Sequence, residues 1–221
     1  MPRTISRDEA RRYYDWFGAK QDWQGFYEDR ALDRLIALGG FAHASRVLEI
    51  GCGTGRLAAR LLSGCLPASA RYVGVDLSSK MARLAGERLA PFGSRCEVHL
   101  SDGGFDYATY GAPFDRIVTT YVLDLLSAAD IQNCLSAAHA ALADDGLFCH
   151  AGLTNGAGPI SRMTSTTWKW VHRLRPTLVG GCRPLQLANL APAKQWQTLH
   201  HAVVVAGTIP PDIVLLQQRR P

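Results

Sequence analysis

Hydrophobic and polar positions fall into blocks of two different periods along this chain. From Ser6 to Ala37 the apolar residues recur at helical spacing. Tyr13, Tyr14, Trp16 and Phe17 come early, Phe26, Tyr27, Leu32, Leu35 and Ile36 later, and Gly39-Gly40 ends the run. Short β-branched blocks then alternate with amphipathic ones. "RVLEI" predicts a strand, "GRLAARLL" a helix with its leucines on one face, and "RYVGVD" a second strand. "SSKMARLAGERL" predicts a helix with Ser78 or Ser79 as its N-cap, and "CEVHLSD" a third strand. "FDRIVTTYVL" contains a fourth strand, "IQNCLSAAHAAL" is a helix, "DDG" a turn and "LFCHAGL" a fifth strand. Strands alternating with helices imply a parallel sheet covered on both faces.

The end of the chain breaks that alternation. "WQTLHHAVVVAGTI" and "DIVLLQQ" are strand-like runs joined only by Pro210-Pro211. A connection that short holds no crossover helix, so the two strands pair antiparallel. The expected fold is a doubly wound, Rossmann-like α/β sheet, mostly parallel, with a C-terminal antiparallel hairpin strand. Between the fifth strand and the hairpin lie the helical "SRMTSTTWKWVHRL" and the turn-rich "VGGCRP".

Composition supports one domain. The chain has 221 residues, 47% hydrophobic and 19% charged, enough to bury a core. No apolar run reaches the roughly 20 residues of a membrane span. The polar opening "MPRTISRDEARRYYDW" has no apolar signal core, which reads as cytoplasmic. The six cysteines form no C-x-x-C pair and no zinc spacing with histidine, so no metal site or disulfide framework is expected. Charge is unevenly placed. From Gly146 to Pro211 there is no Asp or Glu, while Arg162, Lys169, Arg173, Arg175, Arg183 and Lys194 lie in that run. Outside it, 18 basic residues face 19 acids, so the net +5 belongs to the last third of the chain.

The candidate chemistry sits where the first strand meets "GCGTG". Ligands of an open α/β sheet bind beyond the carboxyl ends of its strands. Glycine lets the backbone turn sharply and a ligand approach closely, and the next helix offers unpaired N–H groups. Dinucleotide enzymes use G-x-G-x-x-G, whereas here Glu49 precedes Gly51, Gly53 and Gly55 at every second residue. Asp76 ends the second strand and suits the two hydroxyls of a ribose. Asp102 ends the third and suits an adenine amino group, with the Gly103 N–H at the ring edge and Leu77 on one ring face. Taken alone, Asp76 reads as a helix cap and Asp102 as a turn residue. Three ligand-like positions at three successive strand ends favour a nucleotide-type cofactor.

Through "VLEIGCGTG", "VGVDLS", "LSDGG", "FDRIVTTYVLDLL" and "DDGLFCHAGL" the chain resembles the class I S-adenosylmethionine-dependent methyltransferases. Within them it is most similar to the small-molecule branch with the ubiquinone and menaquinone C-methyltransferases. The resemblance implies a seven-stranded sheet and S-adenosyl-L-methionine as cofactor. It places Glu49 near the cofactor's amino-acid end and Gly55 in backbone contact with its methionine part, with Gly51, Cys52 and Gly53 in the same cofactor-binding turn. Thr120 and Tyr121 would line the gap between sulfonium and acceptor, and an N-terminal aromatic helix with Tyr13, Tyr14 and Phe17 would close over the cofactor. The implied organisation is a single methyltransferase domain: a helical cap over 1–40, a cofactor-binding core over 41–153, a lid over 154–190 and a hairpin over 191–221. At the end of strand four this chain has "TTYVLDLL" and not the Asn or Asp with Pro-Pro and an aromatic of enzymes that methylate nucleobase amines. A small-molecule acceptor and no nucleic acid are therefore expected.

Methyl transfer from a sulfonium is in-line displacement, so a base is needed only if the acceptor arrives protonated. Asp124, His150 and His172 are the candidates. As plain structure, they would be a helix cap, a satisfied core histidine and a solvated histidine. In the lid, Arg162, Trp168, Lys169 and Arg173 are placed to meet an anionic acceptor or an anionic membrane surface. A solvated basic face is the plainer alternative. Trp168 and Trp170 stand two apart and so face different ways on a helix. Two other functions stay open: a Rossmann-type NAD(P)-dependent oxidoreductase, which the glycine spacing disfavours, and a catalytically silent cofactor-binding module. The sequence sets no oligomeric state.

Overall fold

The computed structural model describes residues 4–156, 159–175, 180–204 and 209–219. One seven-stranded sheet organises them. Its strands are β1 (Arg46–Ile50), β2 (Arg71–Asp76), β3 (Cys96–Leu100), β4 (Phe114–Thr120), β5 (Leu142–Leu153), β6 (Trp196–Val203) and β7 (Pro211–Gln218). They lie in the order β3-β2-β1-β4-β5-β7-β6. β7 runs antiparallel to both β5 and β6, and the other pairings are parallel. The chain thus starts mid-sheet, winds out to β3, and returns to the other side of β1. β1 and β4 flank the point of reversal, where α/β folds bind ligands.

The helices are α1 (Arg7–Phe17), α2 (Gly25–Leu38), α3 (Arg56–Gly64), α4 (Ser79–Leu89), α5 (Ala128–Ala141), α6 (Pro159–Leu174) and the short α7 (Leu187–Leu190). Strand alternation sorts the core into two layers. Val47, Tyr72, Val118 and Cys149 face Leu35 of α2 and Leu61 of α3. Their neighbours Leu48, Val73, Ile117 and Phe148 face Ile131 and Leu135 of α5. Ser78 is the N-cap of α4, its hydroxyl accepting from the Met81 N–H.

Four boundaries differ from the sequence expectation. The helical run over 6–37 is broken at Gly18, whose φ of 54° no helix continues through, and 3₁₀ turns over Gly18–Gln24 separate α1 from α2. "DDG" is a bulge inside β5: Phe114 pairs with Leu142, then Arg116 pairs with Leu147, so the extra residues loop out without ending the strand. β3 stops at Leu100, ahead of the Ser101-Asp102 expected to end it, while β4 runs to Thr120. The final connection is longer than Pro210-Pro211. β6 ends at Val203, and Pro211 opens β7 opposite Leu153, at a strand start that tolerates a missing N–H. Residues 205–208 of that connection lie outside the described residues.

Candidate cofactor and acceptor site

The turn after β1 is held by its own backbone and by one carboxylate. Gly51 and Cys52 both donate N–H bonds to the Val75 carbonyl, at 2.8 and 3.0 Å. Gly53 donates to Asp76 Oδ2 at 2.8 Å, and Ser78 donates its backbone N–H to Asp76 Oδ1 at 2.8 Å. Asp76 therefore clamps the glycine turn to the start of α4. Each of its oxygens keeps a second lone pair for a ligand hydroxyl. Burial raises its pKa, and the N–H groups of Ser78 and Gly53 oppose that rise. Gly51 has φ 71°, and a Cβ there would lie 2.3 Å from Val122 Cγ2. Only glycine leaves this space open.

A cavity of about 480 Å³ runs along these strand ends. Gly51, Gly53, Asp76, Leu77, Gly103, Thr120 and Tyr121 line it, with Tyr14 from α1. These eight are the sequence candidates that the fold brings together. Tyr121 has φ 57°, rare for a residue with a Cβ, and its N–H donates to the Ala151 carbonyl at 2.8 Å. Strain of this kind concentrates at functional sites.

Other candidates lie beside or behind the cavity. Glu49 is buried and lines a smaller recess of about 40 Å³ with Glu28 and Arg56; Gln21, Gly51, Gly53 and Thr120 line both spaces. The Tyr72 hydroxyl donates to Glu49 Oε2. Burial, helped by the Asp76 charge, pushes the Glu49 carboxyl up to about 8, against the Tyr72 and Thr120 hydroxyls. Cys52 lines that recess from a buried position against Gly74, and burial keeps its thiol protonated. Gly55 is the left-handed N-cap of α3 and packs on Ala85 and Leu89 of α4, so it serves helix packing. Asp102 is exposed and accepts from the Gly104 N–H at 2.7 Å within its own turn. Of the N-terminal aromatics only Tyr14 reaches the cavity, while Tyr13 stacks on Phe17 with centroids 5.5 Å apart.

None of the three base candidates touches the cavity. Asp124 is fully buried, with Oδ2 accepting from the Leu153 N–H at 2.7 Å. Burial and then the Asp212 charge hold its carboxyl well above the usual range. His150 is also fully buried, with Nδ1 3.0 Å from Thr119 Oγ1, and burial lowers it to about 3. Asp124 Oδ1 and His150 Nε2 have no partner among the described residues. Both face the same point: a Cβ on Gly152 would lie 2.6 Å from each. His172 is buried against the Gly181 carbonyl at 3.1 Å, which replaces the solvated position expected as its plain alternative.

α6 packs on the Tyr121 end of the cavity. Trp168 packs with Tyr121 and Leu153, and its indole N–H donates to the Cys182 carbonyl at 2.8 Å. Arg162, Lys169 and Arg173 are exposed and do not line the cavity.

Several lining residues escaped the sequence reading. Arg7 lies over the Phe105 ring at 5.4 Å, and both line the cavity beside Gly103. Gln21 is held against Gly53 because Asp22, its neighbour, accepts from Thr54 at 2.6 Å and pairs with Arg88 at 2.6 Å. Val122 stands over Gly51. The capping signal Ser6-x-x-Glu9 was there to be read, but nothing in it says which way the first turn of α1 faces.

Residues 47–146 match the family model described as a methyltransferase domain. Over that segment the chain is similar to S-adenosylmethionine-dependent methyltransferases of class I. Over 162 residues the chain is 30% identical to a malonyl-[acyl-carrier protein] O-methyltransferase of Geobacter sulfurreducens, covering 69% of this chain and 55% of that one. Over 112 residues it is 32% identical to a ubiquinone/menaquinone biosynthesis C-methyltransferase of Geotalea uraniireducens, covering 46% and 44%. The chain spans about half the length of these curated relatives. The structure of the N-methyltransferase NodS from Bradyrhizobium japonicum WM9, in complex with S-adenosyl-L-homocysteine, superposes with a TM-score of 0.65 at 16% identity, covering 87% of this chain and 88% of that one. That likeness is one of fold. S-adenosylmethionine is the cofactor of the class, and the residues present fit it. The cavity has ligand size, Asp76 lines it with free lone pairs, and a side chain at Gly51 would fill it.

Proposed function

We propose that this chain transfers the methyl group of S-adenosylmethionine to a small-molecule acceptor of anionic or lipid character. The observation that carries the reading is the single cavity joining Gly51, Gly53 and Asp76 at one end to Tyr121 at the other. When bound, the cofactor supplies a sulfonium methyl group open to in-line displacement. The chain's own work is binding, alignment and water exclusion. Asp76 accepts the ribose hydroxyls, Leu77 and Phe105 flank the adenine, and the recess of Glu49 receives the amino-acid end. Tyr14 and Trp168 act from two sides, Tyr14 as part of the wall and Trp168 by holding Tyr121 in place. The helices at either side of the cavity serve as cap and lid.

Asp124 stands behind the wall and holds the Val122–Leu126 segment against β5, while His150 ties β5 to Thr119 of β4. They are positioning residues. None of Asp124, His150 and His172 lines the cavity, which suits an acceptor that brings its own ionised nucleophile, as a carboxylate does at neutral pH. The relative acting on a malonyl group is consistent with such an acceptor.

Calorimetry with S-adenosylmethionine tests the cofactor half, and a mass-detected screen of acceptors with labelled cofactor tests the reaction. Asp76→Ala, which removes the ribose contacts, weakens cofactor binding by about tenfold or more. A folded Asp76→Ala chain with unchanged cofactor affinity overturns the assignment. Binding of NAD in place of S-adenosylmethionine overturns the function.

A further inference from the structure

α6 has a packed inner face and an apolar outer one that nothing among the described residues covers. Ser161, Ser165, Trp168 and His172 lie on its inner side, where Trp168 packs on Tyr121 and both Trp168 and His172 bond the 181–182 turn. At 100° per residue these four fall within about 60° of one another. Met163, Trp170 and Leu174 fall together on the opposite side, and they are 66%, 64% and 59% exposed. Arg162, Lys169 and Arg173, all exposed, form a row between the two faces. The helix contains no acid, and none occurs from Gly146 to Pro211.

From this arrangement we propose that the outer face of α6 docks on an anionic lipid surface. The inference rests on the methyltransferase reading for its purpose: the bilayer presents the acceptor one helix diameter from Tyr121. A solvated helix needs no tryptophan, leucine and methionine aligned opposite its buried face. An interfacial helix does, with cations at the level of the head groups. Trp170 has the amphipathic ring enriched at that depth. An acidic carrier protein would complement the cations but not the outward apolar row, which is why the lipid surface is favoured.

The test is sedimentation of the full chain with vesicles of phosphatidylcholine alone and of phosphatidylcholine with phosphatidylglycerol. Binding is expected only with the anionic lipid, and it should fall steeply as salt rises. Arg162→Gln/Lys169→Gln/Arg173→Gln should weaken it about 10²-fold, the surface attraction of three cations. Met163→Ser/Trp170→Ser/Leu174→Ser should abolish the part that survives high salt. Cofactor affinity reports whether each variant is folded, and the wild-type salt titration decides the matter if one is not. The proposal is overturned if the wild-type chain ignores anionic vesicles, binds neutral ones equally well, or keeps its binding in both folded variants. It is also overturned if an acidic acyl carrier protein or a second copy of the chain binds this face and vesicles do not. A chain that binds cofactor but no vesicle leaves the methyltransferase reading standing. One that binds vesicles but no cofactor sinks that reading and leaves the docking face.

Discussion

The two sides of the cavity are built from different materials. On the cofactor side, β1, β2 and the turn between β1 and α3 present backbone groups, fixed by short bonds between neighbouring strand ends. Gly51 and Cys52 donate to Val75, and Gly53 donates to Asp76. On the acceptor side the wall is made of side chains propped by distant segments. Trp168 supports Tyr121, Asp124 bonds Leu153, and the Tyr14 hydroxyl reaches toward the Gly180 carbonyl at 3.4 Å across 166 residues. A backbone cradle holds one ligand in one way. A wall of propped side chains can change its shape by changing its props, which suits a class with one cofactor and many acceptors.

The sharpest way to break this contrast is at the seam. In Gly51→Ala the new Cβ meets Val122 at 2.3 Å from a left-handed backbone. The backbone conformation alone costs about 1–2 kcal/mol, and the collision displaces the acceptor wall as well. Cofactor affinity should fall on the order of 10²-fold by calorimetry. Adding Val122→Ala should restore part of it, and a double-mutant cycle measures how much. Strict additivity would mean that the two sides do not meet at Gly51.

A second substitution should damage the acceptor side alone. Gly152→Ala drives a methyl group to 2.6 Å from Asp124 Oδ1 and His150 Nε2. Overpacking of this kind costs about 1–3 kcal/mol, read as a lowered midpoint in urea. Cofactor affinity should not change. If it falls together with stability, the two sides are one mechanical unit and the contrast is wrong.

The same contrast explains what the sequence made legible. β1 and β2 were read to the residue, as were Gly51, Gly53, Asp76 and Leu77 at the cavity, because backbone binding leaves local marks: glycine spacing and a carboxylate at a strand end. Asp102 carries the same mark but turns to its own Gly104 N–H, a choice that spacing does not encode. Arg7, Gln21 and Val122 left no mark, since each reaches the site through contacts between segments far apart in sequence. The charge row of α6 was visible as a count. Its position between the buried face and the outward apolar row needed the inner face of the helix to be known. The base candidates were chosen by residue type, and burial behind the wall is a property of packing.

Glu49 gives a third, smaller effect, this time on the cofactor side. Its folded pKa of about 8 lies above that of a carboxyl in the unfolded chain. Between the two values the folded state holds a proton that the unfolded chain has lost. Cofactor-free stability should therefore fall as pH rises from the ordinary carboxylate range to about 8. A cationic ligand beside Glu49 favours its ionised form, so binding near pH 7 should release about one proton. Calorimetry in two buffers of different ionisation enthalpy measures that release. Affinity should rise with pH by at most about tenfold per unit below the folded pKa. Glu49→Gln should release no proton and bind with a flat pH profile. Release that persists in Glu49→Gln would assign the titration to another group.

The smallest effect concerns α1, which lends Tyr14 to one side and its first turn to the other. Its first turn puts Arg7, Glu9 and Ala10 on the cavity, and the turn is held by a capping box. The Ser6 hydroxyl accepts from the Glu9 N–H at 3.2 Å, and the Ser6 N–H donates to Glu9 Oε2 at 2.8 Å. Losing an N-cap costs about 1 kcal/mol. In Ser6→Ala most of that cost falls on the ordering of the first turn, because the helix beyond it is anchored by Tyr14. Cofactor affinity should fall by no more than about fivefold, the equivalent of 1 kcal/mol, with the urea midpoint almost unmoved. Ser6→Asp keeps an acceptor at the cap and should restore binding. If Ser6→Ala binds cofactor as the wild type does, the first turn of α1 forms without its cap or contributes nothing to the closed cavity. Comparing hydrogen exchange at Glu9 and Ala10 in the two proteins then tells these outcomes apart.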